Sequence, residues 1–295
     1  MAHSLIQLSR RVFNTPQLIT MPNMTLIADF LNDRNSGISL QVNAPKEQED
    51  DEDYKGWDDP TYYDDYGIGV IPICGVLTNV PFYGACGIEG VSYTSIIDNF
   101  FYLIDKGATT VVLDINSGGG EAYACFESAI YCKKLAKDNN IKIITYVDGM
   151  AASAAYAWAA IADEIVMNPM AEVGSIGVVI QLQNINRMKT EMGIDTTYLY
   201  AGANKIPFDK EGGFTETFLS EMQDKIDYLY EVFVEFVAEM RDITAEVVRS
   251  TEASTYMPEQ AIKIGLADSM MTKDEFTNYV FSQSTLTDQL IHNRV

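Results

Sequence analysis

The regular alternation of strand and helix patterns through the middle of the chain limits its fold more than any other feature. The strand-like segments, rich in Ile and Val, are residues 68–73, 110–115, 142–147 and 163–167. The helical patterns between them are residues 93–106, 121–136 and 151–162. Short, continuously apolar strands separated by helices are typical of parallel sheets buried on both faces. The sequence therefore predicts an α/β fold with a largely parallel sheet flanked by helices.

Composition divides the 295 residues into four parts. Residues 1–45 are expected to form an N-terminal arm or appended segment, and residues 46–66 an acidic linker or loop with ten acids and two lysines. Residues 67–272 carry the α/β pattern, and residues 273–295 are expected to be a polar, weakly structured tail. Within the third part, residues 215–250 are predicted to form one long packing helix.

The formal net charge of −22 argues against nucleic acid and anionic membranes as partners, because phosphate binding needs clusters of Lys and Arg. The sequence contains no run of about 18–20 apolar residues, so we expect a cytoplasmic protein. The four cysteines lack metal-binding spacing and are expected to be free buried thiols: Cys74, Cys86, Cys125 and Cys132. Neither a metal nor a cofactor is predicted.

Ser153 is the candidate for a reactive hydroxyl because of its position in the chain. It lies in a run of small residues, MAASAAY (150–156), where a predicted strand gives way to a helix after an Asp148-Gly149 turn signal. Backbone N–H groups at a helix N-terminus stabilise nearby negative charge, and a tight turn can present a hydroxyl to a substrate. The alternative is a small residue selected for close helix packing.

A second turn, NSGGG (116–120), also follows a predicted strand. Glycines allow backbone N–H groups to face a ligand without an intervening side chain. Together with the N–H of Ala154, such a turn could form an oxyanion hole. A phosphate-binding loop is the rival interpretation, but the run lacks the following Lys-Ser/Thr, and the chain is acidic.

A nucleophilic serine needs a base, and histidine is an unsuitable candidate here. The two histidines, His3 and His292, lie near the ends of the sequence. Lysine replaces histidine in Ser-Lys hydrolases, provided that desolvation keeps it neutral. The candidates after Ser153 are Lys189, Lys205 and Lys210; Lys205 is favoured because it follows a predicted strand (195–200) and precedes Ile206-Pro-Phe.

Five motifs then occur in a fixed order: VLDINSGGGEAY (112–123), MAASAAY (150–156), GSIGV (174–178), GANK (202–205) and AIKIGLAD (261–268). In this order they resemble the signal peptide peptidase A family of serine proteases, and in particular its phage head maturation (prohead) protease branch. The resemblance covers about residues 68–272. It implies a ClpP/crotonase-like fold of β-β-α-type units.

By this resemblance Ser153 is the nucleophile and Lys205 the general base. Gly120 and Ala154 would supply the oxyanion N–H groups, and Ser175 would orient the lysine. Two positions depart from the family pattern: Gly118 replaces a proline, and Ala155 stands where the family favours glycine. The membrane anchor usual in the bacterial members is not found, which favours the phage branch.

The resemblance thus implies a Ser-Lys endopeptidase that cleaves capsid and scaffold proteins, with the chain itself as a further candidate substrate. We expect a ring-like homo-oligomer, because the dyad must be kept dry and residues 215–250 offer a packing face. The alternatives are a soluble signal peptide peptidase A homologue that degrades peptides, a crotonase-like acyl-CoA enzyme, and a non-catalytic capsid-binding protein.

Overall fold

The computed structural model describes residues 9–35, 58–81 and 90–292. A central sheet with the strand order β11-β10-β8-β6-β3-β2 forms the framework, and β9 and β12 extend it beside β8. Its strands are β2 (Thr61–Tyr63), β3 (Ile68–Cys74), β6 (Thr110–Ser117), β8 (Lys142–Ala152), β9 (Glu164–Met167), β10 (Glu172–Gly174), β11 (Thr255–Tyr256) and β12 (Ser269–Met270). The predicted mixed α/β class is confirmed.

The central pairings of this sheet are parallel, and its two ends are closed by antiparallel strands. Strand β8 is unusually long, and its two halves pair with different strands on the same side. Its first half pairs with β9, as in Ile144 with Glu164, whereas its last residues pair with β10, as in Ala152 with Gly174. Because β8 runs past its neighbour β9, its carboxyl end projects to the place where a site is expected in such folds.

A second, smaller sheet lies beside this carboxyl end. It has the order β1-β7-β4-β5 and comprises β1 (Gln17–Ile19), β4 (Val76–Thr78), β5 (Gly90–Ser92) and β7 (Gly119–Glu121). Strands β4 and β7 continue β3 and β6 after turns at Gly75 and Gly118. The first of these turns needs glycine, because Gly75 has a φ of 72°.

The helices are α1 (Met21–Asn35), α2 (Tyr93–Asp105), α3 (Cys125–Asp138), α4 (Ala154–Ala160), α5 (Asn186–Glu191), α6 (Glu216–Arg241), α7 (Ala245–Arg249), α8 (Pro258–Lys263) and α9 (Lys273–His292). Helix α4 is the centre of the main core, since every one of its residues is fully buried. Its alanines let neighbouring elements approach closely, and Trp158 stacks on Tyr93 at a centroid distance of 5.9 Å. This buried helix therefore anchors Ser153, the residue directly before it, in the core.

The predicted turn at Asp148-Gly149 is wrong, because β8 continues through it to Ala152. Backbone pairing on both sides of the strand, with β10 and with Ser117 of β6, outweighs the local turn preference. Gly149 has another reason to be glycine: a Cβ there would lie 2.7 Å from Oδ1 of Asn116.

Three further expectations are corrected. The long helix ends at Asp242, which adopts the left-handed conformation (φ 52°), and Thr244 then caps the separate helix α7. Residues 195–200 are exposed and lie outside every strand of the described chain. Residues from Lys273 onward form α9 instead of a weakly structured tail, because Phe276 and Val280 give that helix an apolar face that becomes buried.

The N-terminal arm also contributes ordered structure, in β1 and α1. Residues 46–57 of the acidic segment and Cys86 lie outside the described residues, and the boundaries between the four predicted parts stay predictions. Cys125 and Cys132 are free and buried, as expected, and Cys74 is free and half-buried. In the described part of the chain, no helix combines the length and apolar character needed to cross a bilayer.

Candidate active site

Ser153 is held in a strained conformation between β8 and α4. Its φ of 57° and ψ of −120° lie in a region that L-residues other than glycine rarely adopt. The turn is fixed by its backbone N–H, which donates to the carbonyl of Gly174 at 2.8 Å. The hydroxyl donates to the carbonyl of Gly177 at 3.4 Å, and the residue is only 1% exposed. Strain at a polar residue with no other structural task is typical of a nucleophile turn.

The glycine turn lies directly against this serine turn. Gly119 has a φ of 95°, and a Cβ there would strike the carbonyl of Leu18 and lie 3.1 Å from the backbone N of Ala154. The turn is fixed by Ser117, whose hydroxyl donates to the carbonyl of Gly75 at 2.6 Å and accepts from the N–H of Gly119 at 3.1 Å. The structure therefore brings together the two turns that the sequence singled out separately.

The two backbone groups expected to bind an oxyanion both lie in this region. Ala154 is the first residue of α4, so its N–H has no acceptor within the helix. Gly120 is buried in the middle of β7, opposite Leu18 on one side and Leu77 on the other. Gly119, one residue earlier, is the glycine whose missing side chain leaves room for Ala154.

Ser175 lies two residues from the Gly177 carbonyl that Ser153 contacts. Its φ of 51° is also left-handed, and its N–H donates to the carbonyl of Ser254 at 2.9 Å. Its hydroxyl makes no hydrogen bond with the other residues that the structure describes. Ser175 therefore lies close to the serine turn, as the sequence predicted. No hydrogen bond joins its hydroxyl to the expected partner, Lys205, in the described structure.

Lys205 is exposed on a short 3₁₀ turn, Ala203–Lys205, and its Nζ makes no hydrogen bond or ion pair within the described ranges. The apolar setting expected for Lys205 is therefore absent from the single chain. The reason is that residues 195–200 do not form the strand expected to lead Lys205 toward the core. Of the two alternative lysines, Lys189 is half-buried and Lys210 is exposed.

A row of stacked aromatic rings holds the segment that carries Lys205. The sequence analysis did not predict this row. Phe208 stacks between Tyr198 and Phe214, and Phe214 stacks on Phe218 at the start of α6 with a centroid distance of 5.3 Å. The same segment leaves several large apolar side chains in water, and Leu199 is 96% exposed. Phe208, Phe214 and Phe218 recur within eleven residues, which was the available sequence signal.

The described residues contain no group of three or more His, Cys, Asp or Glu side chains suited to hold a metal ion.

A strained serine at a strand–helix junction, backed by a glycine turn, is the arrangement expected of a serine-hydrolase nucleophile in an α/β fold. Comparison with known proteins agrees with this class. The sequence profile of Peptidase family S49 matches residues 135–286, a stretch that contains Ser153, Ser175 and Lys205. The chain belongs to peptidase family S49.

Individual relatives come from phages and from cellular organisms. The chain is 27% identical to the "Head-tail preconnector protein GP5" of Enterobacteria phage P21 and 25% identical to the "Capsid assembly protease C" of Escherichia phage lambda, each over 71% of this chain. It is 30% identical to the "Probable protease SohB" of Haemophilus influenzae over 58% of this chain. The matches cover 42%, 47% and 48% of these three relatives, so this chain spans less than half of their length.

Proposed function

We propose that this protein is a serine endopeptidase that uses a Ser153–Lys205 dyad. The observation that carries the proposal is the strained Ser153 turn, which lies against the Gly119 turn in a chain of peptidase family S49. A hydroxyl at this position, next to the first N–H groups of α4, can attack a peptide carbonyl and leave the resulting oxyanion beside backbone donors.

In the proposed reaction, neutral Lys205 accepts the proton of Ser153 Oγ as that oxygen attacks the scissile carbonyl. The N–H groups of Gly120 and Ala154 stabilise the oxyanion, and Ser175 orients the lysine. Lys205 then donates the proton to the leaving amine, and water hydrolyses the acyl-enzyme.

Assembly is part of this proposal, because a lysine has to be removed from water to act as a base, and Lys205 is exposed in the single chain. The segment that carries Lys205 has exposed apolar side chains, at Ile194, Leu199 and Tyr200 among others. Such a patch marks a protein–protein contact. We propose that copies of the chain form a ring-like homo-oligomer through this segment, and that the contact removes water from Lys205 and brings it to a serine.

We further propose that the substrates are capsid and scaffold proteins, cleaved in the host cytoplasm within a procapsid. The names of the phage relatives support this, as does the longer share of this chain that they match, 71% against 58% for the Haemophilus relative. The second candidate is a soluble signal peptide peptidase A homologue that degrades peptides, which the 30% identity to the "Probable protease SohB" of Haemophilus influenzae favours. Cleavage of a capsid or scaffold protein at one defined site, with unfolded casein left largely intact, distinguishes the first from the second.

The dyad is tested by comparing peptide cleavage and self-processing in the wild type, Ser153→Ala, Lys205→Ala and Lys205→Arg. We expect each substitution to lower kcat at least about 10³-fold, and arginine to fail because it stays protonated. Lys210→Ala is the matched control, since it removes another exposed lysine five residues away.

Full activity of the Lys205 variants would refute the dyad. Retention of an acyl-CoA reaction by Ser153→Ala would point to a crotonase-like enzyme instead. Failure of the assembled wild type to cleave any protein or peptide would favour a non-catalytic capsid-binding protein.

A further inference from the structure

The N-terminal segment crosses the candidate site as an additional strand. We refer to residues 9–35, which contain β1 and α1, as the N-terminal lid. On one side β1 pairs antiparallel with β7, with Leu18 opposite Gly120. On the other side the N–H of Gln17 donates to the carbonyl of Val179 at 2.8 Å, and the N–H of Val179 donates back at 3.0 Å. The lid is therefore held between two backbone segments, as an extended peptide would be.

The lid presents a carbonyl group to the proposed oxyanion donors. The N–H of Thr20 donates to the carbonyl of Gly118 at 2.9 Å, so the alternation of an antiparallel ladder makes Leu18 and Gly120 a hydrogen-bonded pair. The Leu18 carbonyl oxygen and the backbone N of Ala154 both border the space that a Gly119 Cβ would fill. A scissile carbonyl has to occupy this same place to be attacked by Ser153.

The lid also closes the site to solvent. Leu18 is fully buried in the main core, and Ser153 is only 1% exposed. Asn23 and Thr20 cover Gly118, where a Cβ would meet the Asn23 amide. In this conformation a protein substrate cannot reach the Ser153 hydroxyl.

The lid can leave as a unit, because most of its apolar side chains pack on one another. They form a cluster apart from the main core: Val12, Phe13, Ile19, Met24, Ile27, Ala28 and Leu31. Among the described residues, the partly buried apolar side chains that the body packs against that cluster are Val76 and Val179. A cavity of about 840 Å³ between the start of the lid and α6, lined by Arg10 and Leu229 among others, shows that the contact is not close-packed there.

One ion pair fastens the start of the lid to the end of β7. Both Nε and Nη2 of Arg11 donate to the Glu121 carboxylate, the latter at 2.8 Å. The same carboxylate accepts the N–H of Asn79 at 2.7 Å. This pair joins the lid to the strand it covers, and it can be removed without altering Ser153, Lys205 or the glycine turn.

We propose that the N-terminal lid is an intramolecular inhibitor whose β1 strand takes the place of an extended substrate between β7 and Val179. The proposal rests on the peptidase function proposed above. It implies that substrate binds by replacing the lid, as a strand antiparallel to β7.

The first test compares Gln17→Pro with Gln17→Ala. Proline removes the N–H that donates to Val179, whereas alanine removes the same side chain and keeps that N–H. Ser153 is titrated with a fluorophosphonate probe in the full chain. We expect Gln17→Pro to be labelled about tenfold faster or more than the wild type, and Gln17→Ala to stay much closer to the wild type.

Hydrogen exchange supplies a readout that does not depend on activity. Faster exchange in Gln17→Pro at residues 119–121, with unchanged exchange in β3 and β6, would show that the lid has opened on an intact fold. Arg11→Ala is a second, milder opening variant, and Arg187→Ala is its control because Arg187 pairs with Glu191 on the surface.

A synthetic peptide of residues 14–20 tests directly whether β1 lies in the position of an extended substrate. Added to Gln17→Pro, it should slow Ser153 labelling or be cleaved, whereas the same peptide with proline at its Gln17 position should do neither. Equal labelling rates and equal exchange in the wild type, Gln17→Pro and Arg11→Ala would overturn the lid proposal. If hydrogen exchange shows that the lid is open and the probe still labels Ser153 in none of the variants, the proposed function is overturned instead.

Discussion

At the scale of single residues, the site is defined by backbone conformations that the side chains disfavour. Ser153 and Ser175 both have positive φ, although neither is glycine. Such residues cost about 1–3 kcal/mol each and persist only where the surroundings fix them. The Ser153 conformation is fixed by the Gly174 carbonyl, which accepts the Ser153 N–H, and by the fully buried helix α4 that follows it. The chain keeps a strained serine here, which is consistent with a chemical role for its hydroxyl.

This strain leads to a prediction on stability. We expect Ser153→Gly to have a free energy of unfolding about 1–2 kcal/mol higher than Ser153→Ala, because glycine adopts a φ of 57° without a Cβ penalty. Urea denaturation of the two variants measures the difference, and both lack the hydroxyl, so its loss cancels. A Ser153→Ala variant as stable as Ser153→Gly would mean that the turn is not strained.

At the scale of elements, helix α9 shows how a segment with a weak local signal becomes part of the fold. Phe276 stacks on Tyr146 of β8 at a centroid distance of 4.4 Å. Tyr279 donates to the Glu164 carboxylate at 2.8 Å. Burial, together with that hydrogen bond, raises the pKa of Tyr279 to about 12, so the hydroxyl stays a donor throughout the neutral range. The helix therefore covers the face of the central sheet opposite the candidate site's core helix α4.

We expect Phe276→Ala to lower the free energy of unfolding by about 3 kcal/mol, because it removes a buried ring and leaves a cavity against Tyr146. Asn278→Ala, at an exposed position of the same helix, is the control and should change stability by less than about 0.5 kcal/mol. Urea denaturation followed by circular dichroism measures both variants. If Phe276→Ala were as stable as the control, α9 would not contribute to the core.

At the scale of the whole molecule, the single chain buries Ser153 and exposes Lys205, the two residues of the proposed dyad. Strand β1 lies against the glycine turn beside Ser153, and Lys205 lies on a segment with exposed apolar side chains. Both features are accounted for if assembly and lid opening precede activity. The net charge of −22 opposes close contact between copies, so salt that screens this repulsion should favour assembly.

We expect Leu199→Asp to break the homo-oligomer and to abolish peptide cleavage with it, because a carboxylate replaces a side chain that would be buried in the contact. Met170→Asp is the control, since Met170 is also an exposed apolar residue but lies outside the Lys205 segment. Light scattering and peptide cleavage are measured on the same samples. A Leu199→Asp protein that stays assembled, or a monomer that cleaves at the wild-type rate, would contradict assembly through this segment.

Much of the fold and part of the site could be predicted from the sequence, because they depend on local patterns. Apolar strands alternating with helices are enough to predict a parallel α/β sheet, and the confirmed class follows. The turns at Ser153 and Gly119 were found because small residues and glycines follow predicted strands at the end of the sheet where such sites lie. The motif order was sufficient to indicate the family that the profile match confirms.

The remaining features were decided by contacts between residues far apart in the chain. Strand β8 runs through a turn signal because β10 and β6 pair with its end. Residues 195–200 have a strand-like composition but find no partner strand in the described chain, which leaves Lys205 in water. The lid crosses the serine turn because the N–H and carbonyl groups of Gln17 and Leu18 meet complementary backbone groups of Val179 and Gly120. Composition and periodicity describe neighbours along the chain, whereas backbone pairing and burial depend on which distant segments meet, and only the tertiary structure determines that.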